Sequence, residues 1–209
     1  QRGVSYVDAV EIDPVIIHLG KKYHPQRPYQ SEKVNVIQND ARNFIQHTKN
    51  KYDLIVYGLL DSHSSLSGKG GIRLDSYVYT VESFKEAERT LTEDGYISLS
   101  FNLSDAALGL KIYAMLTEAF GGREPLVVSH YKENTDKFIM QPYAFIIGKK
   151  IDKNFKILNP NISRVTFFGN KSELSKIDIS TDNWPFFYMP QKIWPKSYIL
   201  IIFLILISS

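Results

Sequence analysis

The chain has 209 residues, of which 44% are hydrophobic and 22% are charged, values typical of one globular domain with a smaller appendage. Its formal net charge of +3 is too small to indicate a nucleic-acid partner. The absence of cysteine excludes disulfides, thiolate metal sites and a cysteine nucleophile.

The first 58 residues alternate between strand and helix patterns. Pro14 sits where a first helical residue is favoured, behind Asp13 as the N-cap, and Asp40 can cap a second helix in the same way. These patterns predict strands at 5–13, 34–40 and 52–58, and helices at 14–23 and 41–49.

A long segment at 59–76 is rich in Ser and Gly and has no periodicity, which indicates a functional or disordered loop. Thr80 then caps a helix whose apolar residues fall on one face, and Ser104 caps another. The predicted elements are helices at 81–92 and 105–120, a turn at 94–95, and strands at 96–101, 125–131 and 143–149.

This alternation predicts an α/β protein with a Rossmann-like, mostly parallel sheet that is covered by helices on both faces. In such sheets, ligands bind at the carboxyl ends of the strands. The candidate positions are therefore the residues that follow each strand, namely Glu11, Asp13, Asp40, residues 58–65 and Asn102.

The pattern weakens after Lys149, which predicts three parts along the chain. Residues 1–150 form the ligand-binding domain, 151–194 an irregular extension that ends in the tether TDNWPFFYMP, and 195–209 the start of a transmembrane helix.

The last part contains ten uninterrupted apolar residues, YILIIFLILI, whereas a spanning helix needs about 20. One interpretation is a helix that docks on the core, and the favoured one is the first half of a membrane span. Trp194 and Tyr198 stand where interfacial aromatic residues belong, and Lys192 and Lys196 flank the same side. These lysines predict that the domain lies in the cytoplasm, and the chain is expected to be a fragment that is open at both ends.

Two acids at strand ends are candidates for nucleoside binding. The carboxylate of Glu11 can accept hydrogen bonds from both hydroxyls of a ribose, whereas Asp13 is better explained as a helix cap. Asp40 can accept from an adenine amino group or cap the next helix, and the two roles are compatible because each can use one oxygen.

Asp61 and His63 are candidate catalytic groups in the loop, since either can take a proton from a nucleophile near neutral pH. The alternative is a polar surface loop. A hydrolase triad fits poorly because there is no G-x-S-x-G motif, and the five scattered histidines have no metal-ligand spacing.

Four consecutive motifs resemble the spermidine synthase (polyamine aminopropyltransferase) family, which belongs to the class I fold of S-adenosylmethionine-dependent methyltransferases. They are VDAVEIDPVII, VNVIQNDARNFI, YDLIVYGLLDS and YVYTVESFKEAERTLTEDGYISLSF. The resemblance covers about residues 5–101, with the fold continuing to about 150.

The resemblance implies a donor, S-adenosylmethionine or its decarboxylated form, an amine-type acceptor and no metal. Glu11 matches the family's ribose-binding acid, and Asp40 with Ala41 matches the adenine-contacting pair. The family's strand four ends in an acid that acts as the base on the amine, and Gly58 stands at that position, beside the donor.

Three further positions follow from the same resemblance. Asp61 matches the family's second acid, Ser62 stands where a proline usually follows that acid, and Tyr79 matches an aromatic residue that lines the substrate site. With the base replaced by Gly58, deprotonation of the amine would need Asp61 or His63.

One further departure and one further similarity complete the comparison. The family's glycine-rich loop does not occur in this sequence, which predicts that the first strand of the fold is missing from this fragment. The loop 59–76 and TDNWPF are similar to bacterial multi-pass membrane proteins with a spermidine synthase-like domain, which predicts a location on the cytoplasmic face of the inner membrane.

The sequence thus favours a membrane-tethered transferase that uses an S-adenosylmethionine-type donor. The alternative is a non-catalytic nucleoside-binding or regulatory domain, in which Gly58 marks lost catalysis. A dinucleotide-dependent oxidoreductase is a more distant option, because the motif order after the third strand does not suit it. The sequence leaves open whether the protein forms a homodimer.

Overall fold

The computed structural model describes residues 3–58, 77–103, 105–130, 141–150, 157–193 and 196–208. The strands are β1 (Val7–Glu11), β2 (Val34–Gln38), β3 (Tyr52–Tyr57), β4 (Leu91–Leu103), β5 (Leu126–Ser129), β6 (Gln141–Gly148) and β7 (Ser163–Arg164). The α-helices are α1 (Pro14–Tyr23), α2 (Ala41–His47), α3 (Val81–Thr90), α4 (Ala106–Ala119), α5 (Lys171–Leu174) and α6 (Lys196–Ser208).

Side-chain caps set the starts of the helices, as the sequence predicts. Asp13, Asp40 and Thr80 accept hydrogen bonds from backbone amides in the first turns of α1, α2 and α3 at 2.7, 2.8 and 3.2 Å. The N-cap of α4 is Asp105 instead of the predicted Ser104, because its carboxylate accepts from the amide of Leu108 at 2.9 Å.

The described strands form two separate sheets. β1 pairs with β2 in parallel, and the second sheet has the order β3-β4-β6-β5-β7. Only β3–β4 is parallel in the second sheet, and its other three ladders are antiparallel. The prediction of a mostly parallel sheet is therefore corrected to a mixed one, since β6 returns antiparallel between β4 and β5.

The predicted turn at 94–95 lies inside β4. β3 pairs Tyr52 with Leu91 and then Leu54 with Tyr96, so the register shifts where residues 92–95 bulge out of the ladder. Gly95 fits this bulge because an added Cβ would stand 2.6 Å from the backbone oxygen of Tyr52. Helix α3 consequently ends at Thr90, two residues before the predicted end.

The core lies between the second sheet and helices α3 and α4. β4 alternates buried Ile97, Leu99, Phe101 and Leu103 with half-buried residues, as expected for a strand with one face on a core. Burial of these apolar side chains supplies the main free energy of folding.

Residues beyond 150 also enter this core. Phe168 and Phe187 are at most 2% exposed, and Phe187 stacks on Tyr79 with ring centroids 4.5 Å apart. The boundary predicted near residue 150 stays a prediction, but the core is continuous across it.

The segment around Phe187 is held by a buried amine. Lys111 on α4 is 1% exposed, and its Nζ donates to the backbone oxygens of Phe186, at 2.8 Å, and Met189. The same Nζ lies 4.3 Å from the centre of the Trp184 ring. These contacts satisfy a polar group that would otherwise be costly to bury.

The predicted membrane helix and membrane location are corrected. α6 has 13 residues, and no helix within the described ranges is long and apolar enough to cross a bilayer. The alternative of a helix docked on the core is not observed either, because the side chains of 198–207 are 49–70% exposed.

Burial lowers the pKa of Lys111 to about 7, with Asp178 opposing this shift and Lys192 adding to it. Above pH 7 the unfolded chain therefore binds a proton that the folded chain does not. We expect the unfolding free energy of the native protein, relative to Lys111→Met, to rise between pH 7 and 9 by at most about 1.4 kcal/mol per pH unit. Denaturant titrations of both variants measure this difference, and a constant difference would contradict the prediction.

Candidate active site

The carboxyl ends of β1 and β2 lie side by side. The strands pair in register from Val7 with Val34 to Glu11 with Gln38. The amide of Asn39 then donates to the backbone oxygen of Glu11 at 3.1 Å, which ties the turn after β2 to the end of β1. The structure therefore brings Glu11 and Asp40 to one edge, as the sequence predicts.

The carboxylate of Glu11 is held in place by its own chain. Its Oε1 accepts from the amide of Asp13 at 2.9 Å, while Asp13 uses its side chain to cap α1. The side chain of Glu11 is partly exposed, and Oε2 accepts no hydrogen bond among the described residues. This leaves a fixed acceptor at the strand end, and its proposed ribose contact stays a prediction.

The two carboxylate oxygens of Asp40 are used differently, as its two predicted roles require. Its Oδ1 caps α2 through the amide of Asn43, and Oδ2 has no hydrogen-bond partner in the described part of the chain. Ala41 begins α2 directly beside it and lines a groove described below. Cap and ligand contact are thus geometrically compatible, and the contact of Asp40 and Ala41 with adenine stays a prediction.

Gly58 and Tyr79 mark the other side of the edge. Gly58 follows β3 and is exposed, and no atom of the described residues lies within 4 Å of the position that a Cβ would take. Tyr79 is 2% exposed and packs between Phe101 and Phe187. Its ring therefore belongs to the aromatic core under the edge, and its predicted substrate contact is untested.

The predicted catalytic residues Asp61 and His63 and the predicted substrate residue Ser62 lie outside the described residues. Their roles stay predictions. Among the described residues, no three His, Cys, Asp or Glu side chains form a group that could hold a metal ion.

Tyr57 is a polar residue at the strand end that sequence reasoning did not single out. Its ring is buried against Phe84, and its hydroxyl has no hydrogen-bond partner within the described structure. Burial raises the pKa of this phenol, against smaller opposing effects of Ser83 and Arg42. Tyr57 thus keeps its proton at neutral pH, which excludes it as the base for an amine.

A groove with a cavity of about 150 Å³ separates β1 from β3. One end is closed by the Tyr52 hydroxyl, which donates to Oδ2 of Asp8 at 2.6 Å. The other end reaches Val10, Ala41 and Tyr57, immediately beside the candidate edge. The groove is mainly apolar, and it includes Leu54 and Val56, whose side chains are exposed with respect to the described residues.

Hydrogen bonds fix the closed end of the groove. Desolvation opposes ionisation of Asp8, but hydrogen bonds from Tyr52, Asn35 and Asn50 outweigh it and lower the pKa of the carboxyl. The charged carboxylate thus joins β1, β2 and the start of β3 at neutral pH.

The two-part sheet and its polar strand ends define a Rossmann-like α/β protein. Solved structures agree with this class. A spermidine synthase from Thermotoga maritima aligns with a TM-score of 0.53 and 18% identity, over 73% of this chain and 48% of that one. A spermidine synthase in complex with the transition-state analogue AdoDATO aligns with a TM-score of 0.54 and 20% identity, over 73% of this chain and 49% of that one. Human methyltransferase-like protein 13 in complex with SAH aligns with a TM-score of 0.52 and 18% identity, over 95% of this chain and 78% of that one.

The sequence comparisons identify the family. The spermine/spermidine synthase domain matches residues 2–155, and the chain belongs to this family. The polyamine aminopropyltransferase of Buchnera aphidicola is 33% identical over 102 residues, 47% of this chain and 35% of the relative. The polyamine aminopropyltransferase of Clostridium botulinum is 29% identical over 96 residues, which are 45% of this chain and 31% of the relative. The chain thus spans about a third of the length of these relatives.

The space around Gly58 yields a stability prediction. Gly58 is not in the left-handed region and an added Cβ meets nothing within 4 Å, so Gly58→Ala should change the unfolding free energy by less than about 1 kcal/mol, in the stabilising direction. Gly95→Ala is the matched control and should cost about 1–3 kcal/mol, because its Cβ meets the Tyr52 backbone. Denaturant unfolding measures both, and a large loss for Gly58→Ala would contradict the open position.

Proposed function

We propose that this protein is a transferase of the spermidine synthase type, which moves an aminopropyl group from decarboxylated S-adenosylmethionine to an amine. The observation that carries the proposal is the pair of fixed carboxylates, Glu11 and Asp40, at neighbouring strand ends in a chain of this family. Glu11 accepts from the ribose hydroxyls, and Oδ2 of Asp40 accepts from the adenine amino group while Oδ1 caps α2.

The reaction is a displacement at carbon. The amine lone pair attacks the aminopropyl carbon bound to the sulfonium, and the carbon–sulfur bond breaks. Its electron pair stays on sulfur, which becomes the neutral thioether of methylthioadenosine. The attacking nitrogen becomes a secondary ammonium, which carries one proton more than the neutral secondary amine product, and a base must take that proton.

The base is the part of the site that departs from the family pattern. Gly58 stands where the resemblance expects an acid and cannot accept a proton. We assign proton transfer to Asp61, with His63 as its partner, and acceptor contact to Ser62 and Tyr79. Gly58 itself lines the donor site, and the space beside it accommodates a different acceptor.

The nucleoside site also needs a filled sheet. Among the described strands, β1 pairs with β2 and β3 pairs with β4, and the apolar groove between β1 and β3 ends at the candidate edge. These features support a further parallel strand in the groove, as the resemblance implies for the first strand of the fold. Domain 1–150 would then be one continuous sheet around the donor.

A second candidate function is a nucleoside-binding or regulatory domain without catalysis. The observation that favours it is Gly58, since loss of a general base typically costs 10²–10⁴-fold in rate. The two functions share the donor site and differ only in turnover, so binding and rate measurements separate them.

Binding of the donor is the first test. We expect isothermal titration of the intact protein to detect decarboxylated S-adenosylmethionine or methylthioadenosine. Glu11→Gln and Asp40→Asn should each weaken binding about 10- to 100-fold, because each removes a charged hydrogen-bond acceptor. Asp40→Asn retains the helix cap.

The control is Asp94→Asn, which changes an exposed carboxylate paired with Lys150 and should leave the affinity unchanged. S-adenosylmethionine is titrated in parallel, and a preference for it would replace aminopropyl transfer by methyl transfer. A protein that binds none of the three ligands would refute both candidate functions.

The second test restores the family's acid. Because a Cβ at Gly58 meets no described atom within 4 Å, Gly58→Asp should fold, and it should raise the rate of aminopropyl transfer about 10²-fold, the low end of what a positioned general base supplies. Gly58→Asn has nearly the same size without the charge and should give no such rise. An unchanged or lower rate in Gly58→Asp, with donor binding intact, would favour an acceptor pocket rebuilt around Gly58.

A further inference from the structure

Residues 180–190, near the C-terminal end of the core, fold onto the start of α3. Thr181 and Trp184 exchange backbone hydrogen bonds of 3.2 and 2.9 Å, which close a tight turn. The amide of Val81 donates to the backbone oxygen of Ser180 at 3.0 Å, so the turn satisfies an amide at the N-terminus of α3. We call residues 180–190 the aromatic strap.

Asp182 in this strap joins two parts of the candidate site. Its Oδ1 accepts from the Thr80 hydroxyl at 2.7 Å, and its Oδ2 accepts from Nη2 of Arg42 at 2.9 Å. Thr80 directly follows Tyr79, and Arg42 directly follows Ala41. One carboxylate thus connects the donor side of the edge with its acceptor side, across 140 residues of sequence from Arg42.

The strap is anchored independently of Asp182. Lys111 holds the backbone oxygens of Phe186 and Met189, and the ring of Phe187 stacks on Tyr79. Removal of the Asp182 carboxylate should therefore leave the strap in place and break only the two side-chain contacts.

Of the two contacts that Asp182 makes, the one with Arg42 contributes most to holding the first turn of α2 in place. The Arg42 side chain is 15% exposed, and its Nη1 is buried with no hydrogen-bond partner among the described residues. Within that part of the chain, Asp182 is the carboxylate that neutralises it. Without Asp182, the Arg42 guanidinium would be a partly buried charge with no carboxylate beside it. It would turn toward solvent, and this movement would displace the first turn of α2.

We propose that Asp182 is a positioning residue, which fixes the first turn of α2, with Asp40 and Ala41, relative to Tyr79 and Thr80. The inference deepens the proposed function and relies on it for the identity of the ligand. It assigns a role in the site to a segment that sequence analysis interpreted as a tether.

The experiment combines hydrogen exchange with donor binding on the intact protein. Asp182→Ala should speed amide exchange about tenfold or more in peptides covering 39–47 and 77–84, with little change elsewhere in the core. Asp182→Asn can still accept from Thr80 but turns an NH₂ group toward Arg42, so it should speed exchange in 39–47 only.

Glu88→Ala is the matched control, because Glu88 also pairs with an arginine, Arg123, at 2.9 Å but at the far end of α3. It should leave both peptides unchanged. For the donor, Asp182→Ala should raise the dissociation constant about tenfold while the melting temperature stays close to that of Glu88→Ala.

Faster exchange in both peptides together with weaker donor binding supports the proposal. Unchanged exchange in either peptide of the Asp182→Ala variant overturns it, whatever the protein binds. A wild-type protein that binds no donor refutes the proposed function, and the exchange result alone then decides whether Asp182 fixes the two segments. Faster exchange with unchanged donor affinity overturns the assignment of Asp182 to the site and leaves it a structural residue.

Discussion

The parallel pairing of β1 with β2 is the constraint on which the candidate site depends. Parallel strands end on the same side of a sheet, so their registered pairing brings Glu11 beside the turn that carries Asp40. Each carboxylate is then fixed by a local backbone amide, from Asp13 and from Asn43. Two acids that lie 29 positions apart in the sequence become one acceptor surface without any direct contact between them.

The aromatic core beneath this edge gives the site its rigidity. Tyr79 packs edge-to-face on Phe101 and in parallel on Phe187, which belongs to the aromatic strap. Such rings bury large apolar areas in defined geometry, so the residues around them move little. The strap is itself held by Lys111, a buried amine whose hydrogen bonds go to backbone oxygens. The C-terminal part of the described core is thereby mechanically connected to the residues that precede and cap α3.

In the proposed function, Gly58 is the position at which donor binding and catalysis can be separated. Backbone amides fix the carboxylates of Glu11 and Asp40, which we assign to the donor, whereas the end of β3, where the resemblance expects an acid, is Gly58. Tyr57 next to it is no substitute, because burial raises the pKa of its phenol. A base for the amine must therefore come from the loop that follows β3, or turnover is absent. This single position explains why membership of the family does not by itself define the reaction.

Local sequence determined the strands, the caps at Asp13, Asp40 and Thr80, and the family motifs, because these depend on neighbours a few residues away. It did not determine the antiparallel return of β6 or the bulge at Gly95, which depend on pairing between distant segments. The apolar run at 198–207 forms α6, and the described part of the chain contains no helix that could cross a membrane. The sequence alone thus determined the family and the acids that stand at the ends of the first two strands, whereas only the tertiary structure placed Asp182 between Arg42 and Thr80, since a hydrogen bond across 140 residues leaves no local pattern.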